Sequence, residues 1–357
     1  MLNLERLRVG LLIAAMIAAA GGSPRLVNAG ATFQLNILDS IGEGFNDPGT
    51  PDPASTIGGN VGVSLGDQRR IAFAAAAQIW AGRLDSSVTI IVGANFDPLP
   101  CDATEANLGA AGTKTVHRDF IRAPVANTWY PAALANALAG TDLAPDSDDI
   151  EARFNSDLDG VCAFPLVWYY GLDGDPPAGT LDYISVVLHE LAHGLGFQTF
   201  MDTATGARLG GIDDAFLLWL EDHSTGELLS DMALDADRAA ASVNTGNLHW
   251  VGPDVIAAGA GLTSGRHPSG HVEMYAPDPL DPGSSVSHFS SSLSSDELMK
   301  PSFTGAKHDV GLAGALMQDI GWSSTVPPSA PPTATSGGGS GGGCFIHTIT
   351  GYWSQAN

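Results

Sequence analysis

Asp182-Tyr-Ile-Ser-Val-Val-Leu-His189-Glu190-Leu-Ala-His193-Gly-Leu-Gly196 is the stretch on which both fold and chemistry turn. Ile184, Val187, Leu188, Leu191 and Leu195 recur at helical spacing, so one stripe of a helix should pack inward. His189 and His193 are four residues apart and fall about 40° apart on one face, where both imidazoles can meet a single ion. Glu190 sits beside them. Gly194 and Gly196 should end the helix and let the chain turn away.

Working outward, Asp67 to Gly82 is Ala-rich with Ile71, Phe73, Ile79 and Trp80 as its bulky residues, and it reads as a buried helix. Val88 to Val92 reads as a strand, and Phe164 to Tyr170 as a second. Asp213 to His223 is expected to be a helix. Helix, strand, strand and helix is an α+β order rather than a βαβ repeat. No internal repeat is evident.

The chain has 357 residues, enough for one large domain or two modest ones. Lys and Arg total 15 against 39 Asp and Glu, a net charge of -24 that should repel nucleic acid and anionic membranes. Hydrophobic residues make up 44% and charged residues 15%, which fits a packed body rather than a disordered polyanion. Arg6 and Arg8 precede the apolar run Val9 to Ala20, and Val27-Asn28-Ala29 offers a cleavage site, so residues 1–29 read as a signal peptide. The run is shorter than the roughly 20 residues a membrane span needs. The expected destination is therefore outside the cell or on its surface.

In an oxidising compartment Cys101 and Cys162 should pair. The body should span residues 30–322, divided at Gly196 into an upper part (30–196) and a lower part (197–322). A Pro/Gly/Ser-rich stretch, 323–343, reads as a flexible linker. Residues 344–357 form a tail whose Cys344-Phe345-Ile346 resembles short tails that follow glycine runs in some bacterial exported proteins, where they are thought to be sorting signals.

The His-Glu-x-x-His spacing has a chemical reason. Catalytic zinc takes three protein ligands and leaves a position for water, whose pKa falls toward about 7. Glu190 is placed to accept that water's proton and pass it to a leaving amine. A compact motif would put the third ligand three residues after Gly196, but Thr199 stands there. The candidates downstream are Asp202, Glu221, His223, His249, His267, His271 and His288.

Here the sequence resembles the metzincins, and among them the leishmanolysin branch, in which a long insertion precedes the third histidine. The resemblance rests on His189-Glu-Leu-Ala-His193-Gly-Leu-Gly196, on Ser287-His288-Phe289 and on Asp296-Glu-Leu-Met299-Lys-Pro301. It covers roughly residues 182–322, with little to match before them. It implies a zinc metallopeptidase with a twisted mixed sheet and an active-site helix. His189, His193 and His288 would be the ligands, Glu190 the general base and Met299 the turn beneath the metal. The insertion, residues 194–287, is long for the branch, and the body is expected to begin right after the signal, without the family's pro-segment. The remaining histidines of the insertion are expected to be surface or locally bonded.

These features imply a secreted zinc-dependent endopeptidase acting on proteins or peptides. A rival lineage would use Glu221 as third ligand, as thermolysin-like enzymes use a glutamate. A third reading is a non-enzymatic surface protein stabilised by zinc, against which Glu190 speaks, since a structural site needs no base. Asn155-Ser-Asp157-Leu-Asp159-Gly160 copies half of a calcium loop, but Leu166 stands where a bidentate Glu is required, so Ca2+ is a weaker expectation.

Overall fold

The computed structural model describes residues 30–324, with the backbone of residues 344–345 and 354–355. The signal segment, nearly all of the linker and most of the tail lie outside the described residues. No helix among those described is long and apolar enough to cross a membrane.

The fold is α+β, built on a mixed four-stranded sheet. Its spatial order is Phe33–Ile37, Ile90–Asp97, Ile150–Asn155 and Gly109–Thr113. The first three strands run parallel and Gly109–Thr113 closes one edge antiparallel. The strand expected at Val88 to Val92 begins at Ile90 and continues to Asp97. Gly93 and Asn95 disfavour a strand locally, yet this segment is hydrogen-bonded on both sides, and pairing overrides propensity. Of Phe164 to Tyr170, only Val167–Tyr169 is strand, paired with Thr180–Asp182.

Two helices pack on this sheet. Leu65–Ala81 starts two residues earlier than Asp67 because Ser64 caps it, its hydroxyl accepting from the Asp67 amide at 3.1 Å. Tyr183–Leu195 is buried along its whole length. Trp80 and Trp322 brace that helix, donating their indole N–H to the carbonyls of Leu188 and Leu195, each at 3.0 Å. One continuous apolar core runs from Ala31 to Trp322 and joins the segments before and after Gly196.

The segment expected to be a helix from Asp213 to His223 is not one. After a single 3-10 turn, Leu217–Trp219, it becomes the strand Leu220–Asp222. A short apolar run such as Leu217-Leu-Trp-Leu220 suits a buried helix and a buried strand equally, and here pairing with Leu248–Trp250 decides.

Cys101 and Cys162 form a disulfide, 61 residues apart in sequence. It ties the loop after Ile90–Asp97 to the loop after Ile150–Asn155. Closing a loop of that length restricts the unfolded chain, so replacing both cysteines with serine should cost about 2–4 kcal/mol. Denaturant unfolding would measure this, and an unchanged midpoint would show that the tie contributes nothing.

The half-loop considered for calcium is engaged otherwise. Asp159 pairs with Arg69 and accepts from the Tyr170 hydroxyl, while Asn155 Oδ1 accepts from the Leu99 and Asp157 amides. Those bonds occupy oxygens and geometry that a calcium ion would require.

Candidate metal centre

Asp182 caps the histidine helix, its carboxylate accepting from the Ser185 amide at 2.8 Å, and His308 lies 3.0 Å from the same oxygen. Gly194 is inside the helix rather than at its end. A Cβ there would lie 2.4 Å from Ile150 Cγ2, so only glycine lets the helix sit this close to the sheet. Gly196 ends the helix with φ +127°, a conformation that L side chains avoid.

The helix brings His189 and His193 together, and His288 arrives from across the insertion. The three form one group whose ligand atoms lie within 4.8 Å of one another, and all three residues are buried. His189 Nε2 is 3.1 Å from His288 Nε2 and 3.1 Å from His193 Nε2. Each Nδ1 faces a backbone carbonyl at 2.8 Å: Leu298 for His189, Phe197 for His193 and Ser284 for His288.

Those carbonyls fix the tautomers. An Nδ1–H that donates to a carbonyl leaves Nε2 of a neutral imidazole with a lone pair. Burial first, and then the neighbouring imidazole, hold His189 and His193 well below the usual imidazole range, so neutral rings are favoured. Three lone pairs turned toward one point at 3.1 Å repel unless a cation lies between them. Three nitrogens around a tetrahedral zinc at about 2.0–2.1 Å would be about 3.3 Å apart, close to the spacing seen. The donor set fits zinc and other imidazole-seeking ions.

Glu190 is fully buried, and neither carboxylate oxygen has a hydrogen-bond partner of good geometry. Burial pushes its pKa well above the ordinary carboxylate value, and the Ala111 amide offsets this only in part. Gly109 and Ala111 belong to the edge strand Gly109–Thr113, and a Cβ on Gly109 would come within 3.1 Å of Glu190.

Met299 is fully buried. Its carbonyl accepts from the Phe289 amide at 2.8 Å, while the preceding carbonyl, Leu298, holds His189. The Glu297-Leu-Met299 segment thus fastens both the helix histidine and the segment that carries His288. Sequence reasoning missed these carbonyl supports, because backbone acceptors leave no mark on residue type.

The other third-ligand candidates lie elsewhere. Thr199 donates to Asp214 at 2.8 Å, and Asp202 caps its own turn. Glu221, His223 and His271 form a separate group, with His249 and His267 against the His223 ring. Burial and the imidazoles of His249, His267 and His271 push His223 down to about 4.

Comparison with protein-family models, with curated proteins and with solved structures finds no match for this chain.

Proposed function

We propose that the chain is a secreted zinc-dependent endopeptidase of metzincin type, close to the leishmanolysin branch, with His189, His193 and His288 as metal ligands and Glu190 as general base. The observation that carries this is the convergence of three imidazole lone pairs beside a buried carboxyl group without a hydrogen-bond partner of good geometry. When bound, zinc would supply a Lewis acid that makes water nucleophilic at neutral pH and polarises a carbonyl.

The chain's own residues do the rest. The carbonyls of Leu298, Phe197 and Ser284 keep the ligand nitrogens unprotonated and aimed. Glu190, with its raised pKa, is suited to take a proton from water and to return it to a leaving amine. The edge strand Gly109–Thr113 passes Glu190, so an extended peptide added to that edge would lie alongside the base. The Met299 segment supports the metzincin lineage by anchoring both halves of the ligand set.

The test is cleavage of denatured protein by zinc-replete chain, followed by mass spectrometry of new N-termini. Chelation should abolish cleavage and zinc should restore it. A metal-loaded chain that cuts nothing would favour the non-enzymatic surface protein instead.

A further inference from the structure

The insertion carries a second convergence of metal-seeking side chains. Three short antiparallel strands, Leu220–Asp222, Leu248–Trp250 and Val272–Glu273, place Glu221 opposite His249 and His249 opposite Glu273. Leu220, Leu248, Trp250 and Val272 alternate with these and are buried, so the sheet presents a polar row on its other face. His223 follows the first strand. His271 precedes the third, in a turn closed by His267 N–H to the His271 carbonyl at 2.9 Å.

His223 Nε2 lies 2.8 Å from His271 Nδ1 and 3.0 Å from Glu221 Oε1, and the latter pair is 3.7 Å apart. These separations bracket the roughly 3.3 Å expected between ligands of one tetrahedral zinc. A single Nε2 proton on His223 cannot serve both neighbours at full strength, whereas one cation satisfies all three. The His223 ring is held in place by His249, stacked at 4.0 Å between centroids, and by His267, edge-on at 4.2 Å. His249 Nδ1 faces the Asn247 carbonyl at 3.0 Å. Glu221, His223 and His271 all keep some contact with solvent, so an ion has a way in.

We propose that Glu221, His223 and His271 form a second metal site, for a divalent transition ion of the zinc class, which locks the platform behind His288. Two imidazoles and one carboxylate suit such ions and not calcium or magnesium, which need shells of oxygen. The locking role follows from connectivity. The strand ending at Glu273 runs into Met274, whose amide donates to Leu248, and Tyr275, whose amide donates to the His288 carbonyl at 2.9 Å. Ser290 returns a bond to the Glu273 carbonyl at 3.0 Å. The site is independent of the peptidase reading.

The full secreted chain, stripped with chelator and dialysed against zinc, should carry two zinc ions by elemental mass spectrometry. His223→Ala combined with His271→Ala should carry one, and adding His288→Ala should remove that one, which also shows that the double variant is folded. Glu221→Gln, which keeps size and hydrogen bonding, should weaken one of two cobalt-binding phases at least 10-fold. The proposal is overturned if wild type binds one zinc that His288→Ala removes, if the double variant keeps the wild-type count, or if Glu221→Gln leaves both phases unchanged. One zinc that survives His288→Ala but not the double substitution would uphold this site and sink the first.

Discussion

Glu190→Gln is expected to keep its metal and to lose about 100- to 10,000-fold in peptide hydrolysis, the usual contribution of a general base. The substitution changes little else. Glutamine fills the same volume, so no cavity opens, and it removes a buried ionisable group that lacks a good hydrogen-bond partner. Thermal stability should therefore hold steady or rise while turnover falls. A damaged fold would lower both together. Zinc content, melting temperature and kcat measured on one preparation separate the two cases, and undiminished turnover in a zinc-replete variant would sink the mechanism.

His288→Ala should have the second large effect, a loss of metal affinity at the first site of more than about 100-fold. Losing merely a partner that orients a ligand costs about 10- to 100-fold, and here a ligand itself goes. The measurement is made with His223→Ala and His271→Ala also present, so that only the first site is counted, and occupancy should fall from one ion to near zero. The same background with Glu221→Ala in place of His288→Ala should keep its ion. If Glu221→Ala empties it and His288→Ala does not, the thermolysin-like rival holds the metal, against the grouping of Glu221 with His223 and His271.

What the sequence made legible here was local. Helical spacing of Leu188, Leu191 and Leu195 fixed the helix, and an interval of four put two histidines on one face. His288 was singled out among the candidates only through a resemblance, because 94 residues, 194–287, separate it from His193 and no periodicity spans that gap. Glu221 was misplaced on a helix, since its strand is made by pairing, with Glu227–Leu228 on one side and with Leu248–Trp250 much further along the chain on the other. The same limit hid the second cluster. His223, His249, His267 and His271 look like scattered polar residues until strand register brings them to one corner, and register is a property of pairing rather than of any single segment. Gly194 was read as a helix end because glycine usually is one, whereas its reason is Ile150, a neighbour from another strand.

On the proposed reading, the distance between His193 and His288 along the chain has a consequence for when the site can assemble. His189 and His193 leave the ribosome together, but His288 follows only after the 94 residues 194–287 and reaches them only once the insertion has folded back. A partly synthesised chain holds Glu190 and two histidines with the group of three not yet closed. If the chain is the secreted peptidase proposed above, its hydrolytic capacity is tied to completion of the whole body, and chain order alone would spare the producing cell.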